Sequence, residues 1–303
     1  MPNADRPWVI VGTGAMACLF GAHLARHHPV CLLGTWQAGL KALREGGIRI
    51  QSPDGERTVA VEATDDPLDC QGAELALVLV KAWQTERAAA QLAACLADDG
   101  LAVSLQNGLG NLEILQAALE SGRASVGVTT AGATLLGPGH VRAGGQGQVH
   151  LGGDPRLVGL ASALADAGVD VEISRDLNAL VWGKLAVNAG INPLTALLGV
   201  PNGGLLERPP AQDVLAEAVR EVAQVAQAKG IRLQMSDPVE VTLDVARRTA
   251  SNHSSMLQDL ERGAPTEIDA ISGAISREGR RLNVPAPTNW TLWKLVRARV
   301  EKE

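Results

Sequence analysis

Lys184, Asn188 and Asn192 recur at every fourth position within W-G-K-L-A-V-N-A-G-I-N-P-L-T, residues 182–195. On an α-helix this spacing gathers an ammonium and two carboxamides into an arc of about 80° that climbs roughly 12 Å along one face. The three form a polar ridge. Its donors suit a small anion that carries neighbouring carbonyl or hydroxyl oxygens. Leu185, Val187 and Ile191 lie off the ridge and can anchor the helix in a core. Pro193 removes a backbone donor and clashes with a regular preceding turn, so the sequence predicts a kink or stop near Asn192. A solvated helix face would present the same residues, so the weight falls on what surrounds them.

A second group stands near the start of the chain. Gly12, Thr13, Gly14, Ala15, Met16 and Ala17 follow a short apolar run at residues 8–11 and precede apolar helical spacing as far as Leu24. This reads as strand, glycine turn, helix. The first glycine permits a tight turn, the second lets a pyrophosphate approach the backbone, and the small Ala17 allows the helix to pack closely on the strand. Phosphates would meet unpaired amide N–H groups and the positive end of the helix dipole. A second strand at 30–33 ends on Gly34-Thr35-Trp36, where a dinucleotide site carries an acid for NAD or an arginine for NADP. Neither is present. The missing acid removes a repulsion against a 2′-phosphate and Thr35 can donate to it, which favours NADP and leaves NAD open.

Composition narrows the classes. The chain has 303 residues, 46% of them hydrophobic, enough for two domains with substantial cores. Its net charge of −6, with no Lys/Arg-rich block, argues against a nucleic-acid partner. There is no tyrosine, so a tyrosine general acid is excluded, and the single Phe20 leaves the core to aliphatic residues. Cys18, Cys31, Cys70 and Cys95 show neither C-x-x-C spacing nor a paired framework and read as reduced packing residues of a cytoplasmic protein. No window reaches a membrane-spanning length, and the N-terminus lacks the long apolar region of a signal peptide. His23, His27 and His28 have no carboxylate or cysteine beside them in sequence and read as surface residues; no metal is expected.

Further strands are predicted at 75–80, 101–105, 125–130 and 170–174, with β-like runs flanking Pro53-Asp54-Gly55 and a hairpin within 137–153. Lys81 and Asn107 stand at the carboxyl ends of two of these strands, where open α/β sheets place ligand contacts. Helices fall between the strands. The pattern is an α/β, Rossmann-like domain with a largely parallel sheet over 1–174, followed by an all-α domain over 175–303. In the second part, helices are predicted from about 213 to 229, from Ser236-Asp237-Pro238 towards Ser255, over 267–282 and over 288–300.

The glycine turn, V-K-A-W-Q at 80–84, Q-N-G at 106–108, the ridge segment, P-N-G at 201–203, S-S-M-L-Q-D at 254–259 and T-E-I-D at 266–269 together resemble the ketopantoate reductase (2-dehydropantoate 2-reductase) family. The likeness runs in order along essentially the whole chain. It implies NADPH-dependent reduction of ketopantoate to pantoate, a step of pantothenate biosynthesis. Lys184 would be the general acid, Asn188, Asn192, Asn202 and Ser255 would hold the substrate, and Glu267 would lie beside the nicotinamide. Asn107 would touch both cofactor and substrate, Lys81 would serve the adenosine side, and the backbone at Ala133 would approach the cofactor. Homodimerisation through the helical half is implied as well. Thr35 departs from the arginine common in NADP-using relatives. Two other readings remain, a reductase of a different branched 2-oxo acid and a nicotinamide-binding sensor without turnover.

Overall fold

The computed structural model describes residues 7–53, 55–120, 122–145 and 147–300. Asp54, in the expected 53–55 turn, lies outside them. Contacts divide the chain into two units: one comprises residues up to Gln106 and Asn111–Leu177, the other Asn107–Gly110 and Asn178–Glu303.

In the first unit the order is β1 (Trp8–Val11), α1 (Ala15–Leu24), β2 (Val30–Leu33), α2 (Gln37–Gly46), β3 (Ile48–Ser52), β4 (Gly55–Val59) and β5 (Glu62–Thr64). It continues with β6 (Ala73–Val78), α3 (Thr85–Cys95), β7 (Leu96–Ser104), α4 (Asn111–Ala118), β8 (Ala124–Thr129), β9 (Ala133–Gly137), β10 (His140–Ala143), β11 (Gln148–Leu151), α5 (Val158–Asp166) and β12 (Asp170–Ile173). Eight strands form one sheet in the order β12-β11-β8-β7-β6-β1-β2-β5. All neighbours are parallel except β8 and β11.

The continuous apolar runs of β1 and β2 are buried at every residue, as expected of a sheet covered on both faces. Successive side chains alternate. Trp8 and Ile10 enter the core shared with α1 and α5, whereas Val9 and Val11 enter the core shared with α3 and α4. Helix α1 is apolar all round because it also meets a second, four-stranded sheet, β4-β3-β10-β9. A Cβ on Gly21 would stand 2.8 Å from Ile48 Cδ1 of that sheet, so the helix packs against β3 with no room for a side chain there.

This second sheet corrects the expected hairpin within 137–153. β10 pairs with β9 before it and, in parallel, with β3, while β11 crosses to the main sheet beside β8. The histidine expectation is also corrected in part: His28 stacks on Trp8 at 4.0 Å between ring centroids, and His23 is half-buried.

The second unit is helical: α6 (Leu177–Leu198), α7 (Pro209–Ala228), α8 (Pro238–Arg248), α9 (Ser255–Glu261), α10 (Ser272–Leu282) and α11 (Pro287–Val300). Trp182, Leu185, Ala189 and Ile191 of α6 pack with Leu215, Val219 and Val222 of α7. Of the kink or stop expected near Asn192, the stop does not occur, because α6 continues to Leu198 with Pro193 inside it. Two residues later, Thr195 Oγ1 lies 2.9 Å from the Ile191 carbonyl and 3.0 Å from that of Asn192, a hydroxyl bonding back within the same helix. The helix expected to run to Ser255 ends at Arg248, and Ser254 starts a new one by accepting the Leu257 N–H. Glu221, buried on α7, accepts N–H bonds from Thr288 and Asn289 and so caps the first turn of α11.

Candidate active site

In the first unit the chain runs β1, β2, β5 to one side of β1 and then returns to β6 on the other. Strand order reverses between β1 and β6, and ligands of open α/β sheets bind outside the carboxyl ends at such a point. The glycine turn lies there. Gly12 has φ +133°, and a Cβ on it would meet the Leu79 backbone after β6 at 3.3 Å. A Cβ on Gly14 would enter open space. Gly14 is the N-cap of α1, no side chain caps that terminus, and no acidic residue stands in its first turn. An uncapped helix start with an open cradle fits a pyrophosphate. Thr13 and Ala17 are buried beneath this turn, with Ala15 and Met16 half-buried.

Lys81, half-buried, begins the turn after β6, where the Gln84 side chain accepts its backbone N–H at 3.2 Å. Gln106, one residue before Asn107, donates to the Val80 carbonyl at 3.0 Å and to Thr85 Oγ1 at 2.8 Å. Thr85 also bonds Asn111. This buried polar network fixes the turn that carries Lys81 against the end of β7, a positioning role that the sequence reading did not assign to Gln106 or Thr85. Ala133 opens β9 in the second sheet, paired with Ala143.

The second unit brings Asn107, Lys184 and Glu267 together. Asn107–Gly110 is fastened to the turn before α10: Leu109 N donates to the Ala270 carbonyl at 2.9 Å, and Asn107 Nδ2 donates to Glu267 Oε2 at 3.1 Å. Gly108, φ +82°, lies so close to Ala270 that a Cβ would come within 2.5 Å of its carbonyl oxygen. Glu267 is 5% exposed. Lys184, half-buried on α6, is pushed down to about 8 by burial, while the Glu267 carboxylate pulls the other way. The result is an ammonium that can give up its proton near neutral pH.

Asn188 is half-buried and Asn192 buried one and two turns further along α6. Asn202 is buried in a single turn after Pro201; its amide donates to Thr249 Oγ1 at 2.9 Å, and its Oδ1 is buried without a partner among the described residues. Ser255 stands half-buried at the start of α9, next to Ser254, whose hydroxyl is committed to the cap and to Thr195.

A Rossmann-like sheet with an open glycine turn at its switch point, joined in sequence to a helical unit with a lysine beside a buried glutamate, defines a dinucleotide-binding oxidoreductase. Residues 8–155 match the family described as "Ketopantoate reductase PanE/ApbA" and residues 176–300 the one described as "Ketopantoate reductase PanE/ApbA C terminal". The chain belongs to the ketopantoate reductase family. It is 38% identical to a 2-dehydropantoate 2-reductase of Halobacterium salinarum over 95% of this chain and 97% of that one. Another from Archaeoglobus fulgidus is also 38% identical, over 95% and 96%. Among solved structures, a PanE/ApbA family ketopantoate reductase from Ralstonia eutropha is 34% identical with a TM-score of 0.91, covering 97% of this chain and 98% of that one. A D-mandelate dehydrogenase solved with NADH and anilino(oxo)acetate is 28% identical, also at 0.91 and with the same coverage. Among the described residues no helix is long and apolar enough to cross a membrane.

Proposed function

We propose that this protein reduces ketopantoate to pantoate, as its curated relatives are named for doing, with Lys184 as the proton donor. The observation that carries the reading is the lysine held near its titration point beside the Glu267–Asn107 pair. A nicotinamide dinucleotide held at the glycine turn by the backbone of residues 12–16 would supply hydride to the ketone carbon. That carbon's oxygen then gathers negative charge. The Lys184 ammonium stabilises the charge and delivers its proton to the oxygen. Glu267 favours the charged lysine between turnovers and Asn107 fixes the carboxylate's orientation. Asn188, Asn192, Asn202 and Ser255 offer donors for the substrate's carboxylate and hydroxyl, with the unpartnered Oδ1 of Asn202 able to accept from a hydroxyl. In this reading residues 1–174 are the dinucleotide domain and 175–303 the substrate and dimerisation domain. Four buried free cysteines support a reducing, cytoplasmic setting.

Lys184→Ala tests the assignment. Turnover on ketopantoate should fall about 10²–10⁴-fold; a loss of only a few-fold would remove the lysine from the proton transfer. The likeness to a D-mandelate dehydrogenase favours a second reading, a bulkier 2-oxo acid as substrate. Catalytic efficiencies over a panel of 2-oxo acids separate the two.

A further inference from the structure

The sequence places no acid at the end of β2, but the sheet supplies one. β5 lies beside β2 in parallel, with Thr64 opposite Leu33, and the Gly34 N–H donates to the Thr64 carbonyl at 2.9 Å. The next residue, Asp65, therefore emerges beside Gly34-Thr35-Trp36. Its carboxylate is held there from α2: Gln37 Nε2 donates to Oδ2 at 2.8 Å and Arg44 Nη2 to Oδ1 at 3.0 Å. The Gln37 amide and the Arg44 guanidinium keep its carboxyl below the usual carboxylate range, so it is ionised at neutral pH. Arg44 is committed twice, since its Nε also donates to the Ala63 carbonyl at 2.7 Å. Asp66 and Asp69 follow Asp65 within the same turn, and their carboxylates accept from Leu68 N and Thr64 Oγ1.

This strand end adjoins the glycine turn. A Cβ on Gly34 would strike Thr13 Cγ2 at 2.7 Å, so the place where an adenosine ribose is read directly abuts the proposed pyrophosphate cradle. Trp36 lies over Gly39 at the start of α2, where any Cβ would meet its ring at 2.4 Å, and it is 40% exposed. A 2′-phosphate brought to this strand end would approach the Asp65 carboxylate and an arginine already paired with it, and the exposed indole of Trp36 offers no charge.

We infer that Asp65, delivered by β5 to the end of β2 and tied to Gln37 and Arg44, makes the adenosine side of this site select NAD(H) over NADP(H). The inference rests on the dinucleotide reading above and reverses the preference drawn from Thr35 alone. The test is binding in the absence of substrate: the full chain is titrated with NADH and with NADPH, following tryptophan fluorescence. NADH should bind at least tenfold more tightly. Asp65→Asn, an exposed and isosteric change, should narrow that ratio at least threefold, chiefly by improving NADPH binding. Raising the salt concentration should narrow it in the wild type, because exposed repulsion is screened. Equal or tighter NADPH binding by the wild type, or a ratio unmoved by both the substitution and salt, overturns the inference. Binding of neither dinucleotide overturns it together with the reading beneath it. A preference for NADH without turnover on any 2-oxo acid keeps the inference and removes the reductase reading alone.

Discussion

Lys184 sets the pH behaviour of the proposed chemistry. Its titration point, pushed down to about 8, belongs to a group that must be protonated to act as an acid. Ketone reduction should therefore be flat below that value and fall as pH rises through it, while the reverse oxidation rises; kcat/KM profiles in both directions check the sign. The same burial penalises the charged form in the folded state, so stability from this residue increases as pH climbs from about 8 towards the ordinary lysine range. Glu267→Gln removes the pull that opposes desolvation. Its alkaline limb should move to lower pH while Asn107 retains a carbonyl oxygen to bond, and an unmoved limb would mean that the glutamate acts on ligand rather than on lysine.

At the scale of elements, Gly108→Ala tests how the β7–α4 connection holds the site. The residue sits at φ +82° against the Ala270 backbone, and a non-glycine residue in such a conformation costs about 1–3 kcal/mol before the clash is counted. Thermal melts should show the loss, and activity should drop further than stability because Asn107 no longer meets Glu267. How much of this could be read in advance follows from range. The 8–11 strand, the glycine turn and the 30–33 strand were legible because each is a local pattern whose consequences stay within a few residues. The ridge of α6 was legible for the same reason, whereas the continuation past Pro193 was not, since a proline permits either a stop or a continued helix locally and the packing of α6 with distant helices decides between them. The second sheet escaped the reading because β3 meets β10 only after some ninety intervening residues. Asp65 escaped for a related reason: it is remote from β2 along the chain and adjacent to it across the sheet. The start of the last helix pair was placed early, because Glu267 belongs to the turn that precedes α10 rather than to the helix.

At the scale of the molecule, the two units have separate hydrophobic cores, one pair flanking the large sheet and one within the helices. A dinucleotide that binds the folded glycine turn and not the unfolded chain should stabilise by about 2.7 kcal/mol at a hundredfold excess over its Kd. Calorimetry with and without NADH should show a rise of several degrees in the transition that contains the first unit. An unchanged trace at saturating dinucleotide would place its binding elsewhere than at that turn.

The hydrogen bond from Asn107 to Glu267 spans 160 positions of sequence. On a ribosome adding about 5–20 residues each second, Asn107 is made roughly 8–32 seconds before the carboxylate it will meet. The sheet around it can pair its strands in that interval, while the Asn107–Gly110 segment waits for its partners Glu267 and Ala270 until the turn before α10 is synthesised. Assembly of the proposed catalytic group is thus among the last events in the birth of the chain, and a nascent polypeptide halted before Glu267 would own a cofactor fold but no reaction centre.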